Sequence, residues 1–267
     1  MAEKKRSLFL ICGMFAFLDV SCGGLQGGKS AGVLTPAGGL SDVYCAFMKG
    51  DGGKFQMSFE MKLTFSGENF TAAGENASMM KYDLKFSGDR QTFSGEYEPV
   101  SGDLPPGTIT GWKGNCPGPV KGGEDADYIL PVADLTKVSG ARQYKYKNTH
   151  EGIDFEFESD ASGAAILMEI VSPCDGIIFL LYSHKITDGT HIIDLGVRCA
   201  GGLAMIVTFE PDTTVPEVIE RQWSEISVSI TQAVKKGSLL GRLLIPPDAG
   251  RPHVHWIVFK NILTAAK

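Results

Sequence analysis

The segment 253–259 reads HVHWIVF, and its β-branched and aromatic residues predict a β-strand. Residues two apart on a strand point to the same face of a sheet, so His253 and His255 share a face. If His255 binds a metal, His253 lies about 7 Å further along that face. That position, beside a metal-bound water, suits a general base better than a ligand.

A second group of metal-binding residue types lies in mid-chain, in the pentapeptide HEGID at 150–154. On a straight strand the Cα atoms of His150 and Asp154 would be about 13 Å apart, too far to share one ion. Gly152 permits a bend that closes this gap. Together with His255, these residues would supply two imidazoles and one carboxylate and leave the fourth tetrahedral position to water, as in catalytic zinc sites. Zinc in such a site activates water and polarises a carbonyl, which favours amide hydrolysis.

Each half of this arrangement also has an ordinary interpretation. An HxH pair in a strand is more often two hydrogen-bonding histidines than part of a metal site, and HxGxD alone is no more specific. The order of the two halves, and the phrases between them, favour the metal site.

The stretch from Asp127 to Phe259 resembles the lysostaphin-type zinc metallopeptidases, a family of glycyl-glycine and peptidoglycan cross-link endopeptidases. Five phrases follow the family's order: YILPV at 128–132, HEGIDFEF at 150–157, IVSPCDGII at 170–178, VKKGSLLG at 234–241 and PHVHW at 252–256. The resemblance implies an antiparallel β-sheet peptidase domain over residues 124–262. It also implies that His150, Asp154 and His255 bind Zn²⁺ and that His253 is the catalytic histidine.

One segment departs from the family's pattern. Members usually carry a further histidine in a Tyr-x-His-Leu segment after the central hairpin, where this chain has MIVTFEPD at 205–212, with Phe209 and Glu210 at the nearest matching places. His184 and His191 lie too early in the chain to be its obvious replacement. Glu210 is therefore either a catalytic base, as glutamate is in other zinc proteases, or a charge solvated on a loop.

Two further features flank the candidate site. Arg251 is a candidate for orienting a substrate carboxylate. The segment 211–232 is enlarged relative to the family, and it is either a substrate-selecting loop or a surface insertion without a role. Within it, PEVIERQW at 216–223 predicts a short helix.

The N-terminus predicts export. A basic MAEKKR precedes the apolar SLFLICGMFAFL, so residues 1–22 form a signal peptide. Cys22 follows in a setting that resembles an imperfect bacterial lipobox, which implies lipidation and attachment to the membrane through this end. The alternative is ordinary cleavage that leaves a soluble periplasmic or secreted protein. We therefore expect a cell-envelope protein, with the glycine-rich residues 23–42 as a flexible tether.

The remaining cysteines are disulfide candidates, because an exported chain is free to pair them. Cys45 and Cys116 bracket an N-terminal region, whereas Cys174 and Cys199 bracket the central hairpin. Pairing within each region is the simplest connectivity, with free buried thiols as the alternative.

The fold class is predicted to be mostly β, because apolar residues alternate or form short β-branched blocks punctuated by Gly and Pro. With 267 residues the chain has room for two modest domains, and residues 43–120 are expected to form a small β-meander of unknown role. That region repeats a hairpin pattern at 63–75 and 84–96, and another hairpin is expected over 181–199. The net charge of −6 argues against nucleic acid as a partner.

Two functions follow from these observations. The first is a zinc metalloendopeptidase that hydrolyses peptide cross-links of bacterial peptidoglycan. The second is a noncatalytic envelope protein of the same fold that binds peptidoglycan or activates another cell-wall hydrolase. Three zinc ligands plus His253 favour the first, and the missing Tyr-x-His segment favours the second.

Overall fold

The computed structural model describes residues 41–66, 69–73, 80–100, 104–118, 128–143, 152–160, 163–186 and 189–260. The predicted signal peptide, the tether up to residue 40, Cys22 and His150 lie outside this part of the chain. The described residues are mostly antiparallel β-structure, which confirms the predicted fold class. They include one α-helix, α1, at Pro216–Ser224, where the sequence predicts one. Among the described residues, no helix combines the length and apolarity needed to cross a bilayer.

The strands form one long sheet and one small sheet. Numbered along the chain, they are β1 Ser41–Gly50, β2 Phe55–Ser66, β3 Asn69–Ala73, β4 Met80–Phe86, β5 Thr92–Pro99, β6 Gly107–Lys113, β7 Gly140–Gln143, β8 Ile153–Glu156, β9 Ile166–Val171, β10 Gly176–Lys185, β11 His191–Cys199, β12 Leu203–Glu210, β13 Ala233–Val234, β14 Leu239–Ile245 and β15 His253–Lys260. The long sheet has the order β4-β5-β6-β1-β2-β10-β11-β12-β15-β8-β7, with β3 on β2 and β13 on β10. β14 and β9 pair separately.

The N-terminal strands are continuous with the rest of the sheet. β2 pairs with β10, and Tyr182 lies opposite Phe55 in the register. The regions predicted as separate domains, 43–120 and 124–262, therefore share backbone hydrogen bonds across β2 and β10. Their status as two domains remains a prediction.

Two hairpins of similar pattern build the N-terminal half, as the sequence repeat predicts. β2 turns into β3 between Ser66 and Asn69, and β4 turns into β5 between Phe86 and Phe93. Tyr44 makes edge-to-face contacts with Phe86 and Phe93 beneath them. A disulfide joins Cys45 to Cys116. The buried residues of this half form the N-terminal core, which includes Tyr44, Phe55, Phe59, Leu63, Phe93 and Tyr97.

The central strands are buried on both faces, which explains their nearly continuous apolar sequences. Along β12, Met205, Val207 and Phe209 enter one cluster, the C-terminal core, which also contains Val254 of β15. The alternate residues Ala204 and Ile206 enter the N-terminal core. Since strand residues alternate between faces, the face that carries Ala204 and Ile206 also carries Thr208 and Glu210.

The predicted hairpin over 181–199 is present as β10 and β11, and it ends beside a second disulfide. Lys185 pairs with His191, and the Ile186 N–H donates to the Thr190 carbonyl across the turn. The disulfide joins Cys174 to Cys199 at the other end of the two strands. Each disulfide therefore joins two cysteines of the same region, which is the connectivity predicted from the sequence.

Helix α1 is attached to the small sheet by one buried amide. Gln222 is 1% exposed, its Nε2 donates to the Arg242 carbonyl at 2.8 Å, and its Oε1 accepts from the Leu244 N–H at 2.7 Å. The glutamine side chain thus continues the hydrogen bonding of this edge of β14 beyond its short backbone bridge between Gly241 and Ile226. The inserted segment 211–232 is consequently fastened to the fold near its middle.

We expect Gln222→Ala to lower the free energy of unfolding by about 2 kcal/mol, because the buried Leu244 N–H and the partly buried Arg242 carbonyl of β14 lose their partner. Arg221→Ala, on the exposed side of the same helix, should change it by less than about 0.5 kcal/mol. Urea unfolding of both variants with the disulfides intact measures the difference. Equal effects would show that the amide does not hold the helix.

Candidate functional site

The candidate site lies where β15 runs between β12 and β8. The strands are antiparallel and their register aligns polar residues across all three. Cross-strand neighbours share a face, and so do residues two apart on one strand. All of these side chains therefore occupy the face that also carries the N-terminal core. They form two adjacent rows, Glu210–His253–Glu156 and Thr208–His255–Asp154.

Asp154 and His255 form the innermost pair of the site. The Asp154 Oδ1 atom lies 2.6 Å from His255 Nδ1, and the two residues are 1% and 2% exposed. A carboxylate oxygen and an imidazole nitrogen are both atoms that zinc accepts as ligands. Two of the three predicted ligands therefore lie side by side, and each has an atom of a type that zinc binds. His150, the third predicted ligand, lies outside the described residues, and no group of three His, Cys, Asp or Glu within them is arranged to hold a metal ion.

Gly152 sets which edge of the His255 ring faces Asp154. A Cβ atom at Gly152 would lie 2.6 Å from His255 Cε1 and 2.7 Å from Nε2, so the glycine backbone packs directly against that edge. Its φ of +146° is also a conformation that L-residues rarely adopt. The close approach leaves the Nδ1 edge turned toward Asp154.

His253 is buried between a backbone carbonyl and two carboxylates. It is 3% exposed, and its Nδ1–H donates to the Arg251 carbonyl at 2.9 Å. Nε2 lies 3.2 Å from Glu210 Oε2 and 3.9 Å from Asp154 Oδ2. Burial lowers the pKa of His253, but the hydrogen bond to Glu210 and the negative charges of Glu210 and Asp154 outweigh burial and raise its pKa above the usual value. Because a carbonyl can only accept, Nδ1 stays protonated and Nε2 is the nitrogen that can exchange a proton.

Glu210 ends β12 and points into the site. Its side chain is 14% exposed and pairs with His253, so it is not a charge solvated on a loop. The residue directly opposite in the register is His253. The structure therefore places a glutamate against the predicted catalytic histidine, at the position nearest the family's usual histidine.

Arg251 points inward and is held by acidic neighbours. Its Nε and one terminal nitrogen both lie 2.5 Å from Glu156 Oε1, and the same terminal nitrogen is 3.5 Å from Asp154 Oδ2. The backbone N–H of Arg251 donates to Asp212 Oδ2 at 2.6 Å. Arg251 thus joins the loop before β15 to the loop after β12 and offsets the buried charge of Asp154.

A second polar group on the same face was not anticipated from the sequence. His184 Nε2 lies 3.0 Å from Asp194 Oδ2, and Thr208 Oγ1 donates to Asp194 Oδ1 at 2.7 Å. All three residues are buried, and Tyr182 stacks on the His184 ring with centroids 4.4 Å apart. Tyr182 and His184 are two apart on β10, a spacing that predicts a shared face. The sequence contains no signal for their pairing with Asp194, which depends on the hairpin register.

No protein-family model and no curated protein matches the chain. Among solved structures, the chain is similar to a zinc-containing peptidase from Vibrio cholerae. The two share 13% sequence identity and a TM-score of 0.32, over 81% of this chain and 82% of that chain. Similarity at this level does not establish a shared fold or a shared activity.

We expect Gly152→Ala to weaken zinc binding by about tenfold or more, because the added methyl group would displace the His255 ring from Asp154. Gly163→Ala is the matched control, because Gly163 also has a positive φ, +79°, but has no atom within 4 Å of an added Cβ. Competition with a chromophoric chelator measures both affinities. Equal weakening in the two variants would attribute the effect to backbone strain alone.

Proposed function

We propose that the protein is a zinc metalloendopeptidase that hydrolyses peptide cross-links of bacterial peptidoglycan. The observation that carries the proposal is the in-register placement of the Asp154–His255 pair beside the His253–Glu210 pair on one sheet face. One pair has the chemistry of metal ligands and the other has the chemistry of proton transfer. The resemblance of five ordered sequence phrases to lysostaphin-type peptidases supports the choice of substrate.

In this proposal His150, Asp154 and His255 hold the zinc ion. The ion, when bound, supplies a Lewis acid that activates water and polarises the scissile carbonyl. Asp154 is itself oriented by Arg251, whose guanidinium lies 3.5 Å from its second carboxylate oxygen. Such outer contacts fix the direction of a ligand and influence metal affinity.

His253 transfers protons during hydrolysis. The Arg251 carbonyl holds Nδ1–H and so keeps Nε2 directed at the site. Nε2 takes a proton from the attacking water and returns one to the leaving amine, as a general base and then a general acid. Glu210 accepts the Nε2 proton in a hydrogen bond and stabilises the charged ring in the interval.

The proposed substrate is found in the cell envelope, to which the N-terminal sequence directs the protein. We place the protein there as an exported chain anchored through a lipid on Cys22. In this proposal the lipid anchor attaches the protein to the membrane, and peptidoglycan binds at the sheet face that carries the candidate site.

The purified protein loaded with zinc should release soluble muropeptides from isolated peptidoglycan, and the masses of the fragments should identify the bond cleaved. The N-terminal region must be kept, because removing β2 would expose the edge of β10. We expect His253→Ala to abolish release while it retains one equivalent of zinc. His255→Ala should lose both, because it removes a ligand.

A chelated sample and a sample with zinc restored serve as controls for metal dependence. No release by protein that holds one equivalent of zinc would contradict the proposal. It would favour the noncatalytic envelope protein, which pull-down on peptidoglycan and addition of a second hydrolase then test.

Glu210→Gln should lower kcat by about a hundredfold or more, because the amide keeps the shape of the side chain but cannot stabilise a protonated His253. Zinc stoichiometry should not change, since Glu210 lies against His253 and not in the Asp154–His255 pair. Steady-state kinetics and metal analysis of the same preparation measure both. Full activity in this variant would exclude a role for the glutamate in proton transfer.

A further inference from the structure

Arg142 is an exposed cation at the rim of the candidate site. It lies on β7, the last strand of the long sheet, directly opposite Asp154 in the register. Opposed residues in antiparallel strands have Cα atoms about 5 Å apart and share a face. Arg142 therefore extends the row of Thr208, His255 and Asp154 outward to the edge of the sheet. A ligand bound at the Asp154–His255 pair would lie one strand away from Arg142.

The contacts of Arg142 leave most of its guanidinium available. Its Nε lies 3.1 Å from Glu156 Oε1, and its side chain is 58% exposed. Among the described residues its side chain makes no other ion pair or hydrogen bond. An arginine bound only through Nε still presents its terminal amino groups, which are the donors used in paired hydrogen bonds to carboxylates.

Arg251 is engaged differently, although both arginines contact the same glutamate. Two of its nitrogens bind Glu156 Oε1 at 2.5 Å and one approaches Asp154, and its side chain is only 28% exposed. Arg251 is thus occupied by contacts within the protein, on the buried side of the site. The carboxylate-binding role predicted for Arg251 fits the exposed Arg142 better.

The local charge balance also favours an anionic ligand at Arg142. Glu156 supplies one negative charge, and Oε1 of that carboxylate is shared by two guanidinium groups. Arg251 takes the shorter contacts, so the charge of Arg142 is the less compensated of the two.

We infer that Arg142 selects substrates in which a free carboxylate lies within about one residue of the scissile bond. This inference rests on the proposed function, because it names the chemical class of peptide taken by that site. A stem peptide with a free α-carboxylate has this group, whereas the same peptide with a carboxamide does not. The two forms differ by one charge and are otherwise nearly isosteric.

The test compares synthetic cross-linked peptides that carry either the free carboxylate or the carboxamide. For the native protein, kcat/KM on the acid should exceed that on the amide by about tenfold or more, as expected for a hydrogen bond to a charged group. Arg142→Gln should reduce kcat/KM for the acid to the value for the amide and leave the amide unchanged. Arg142→Lys should restore part of the preference, because it keeps the charge without the paired donors.

Arg242→Ala is the matched control, because Arg242 is 39% exposed and pairs with Glu169 on the small sheet, outside the site. It should retain the native preference for the acid. Equal loss on both peptides in Arg142→Gln, or no native preference at all, would overturn the inference.

A binding measurement separates this inference from the proposed function. Zinc-loaded His253→Ala protein should bind the acid peptide more tightly than the amide in calorimetry, and the further change Arg142→Gln should remove that difference. If the native protein cleaves neither peptide, the proposed activity fails, and the same comparison on native protein still tests Arg142. Equal binding of the two peptides would reject the role of Arg142 whether or not the protein cleaves them.

Discussion

The register of β15 between β12 and β8 is the constraint on which the rest of the site depends. A strand that slips by one residue turns every side chain to the opposite face. In the observed register Val254 enters the C-terminal core, while His253 and His255 face Glu210 and Asp154. A slip would bury the histidines among apolar side chains and set the valine against the buried carboxylates of the site face. The burial of Val254 in the C-terminal core thus fixes the register that brings the two histidines to the carboxylates on the other face.

The site face buries several ionisable groups, which is costly unless they are paired. The structure pairs each of them with a neighbour of complementary type: Asp154 with His255 and Arg251, His253 with Glu210, and His184 with Asp194. A substitution that removes one partner leaves the charge of the other buried without compensation, which lowers the stability of the fold. A bound divalent cation at Asp154 would offset part of the same charge. Metal binding and folding are coupled in such a site.

The N-terminal region is built into the same sheet and therefore influences the shape of the site face. Its core contains Phe55 and Tyr44 together with Ile206 of β12 and Tyr182 of β10. Tyr182 in turn stacks on His184, which links that core to the buried polar group beside the site. A role in positioning the protein on the envelope, or in covering part of the cleft, remains a hypothesis for this region.

Local sequence was sufficient for the features that depend on periodicity and short loops. Alternation and turn residues predict the shared face of His253 and His255, the hairpin of β10 and β11 and the mostly antiparallel β class. The helical period predicts the helix at 216–223. These signals are local because each acts over a few positions. Tertiary structure alone decided which distant residues meet. The sequence left Glu210 between two roles and gave no signal that Arg142 lies beside Asp154, because cross-strand neighbours are set by the pairing of segments far apart in the chain. The joining of β2 to β10, and the burial of His184 against Asp194, depend on the same long-range register and leave no local signal.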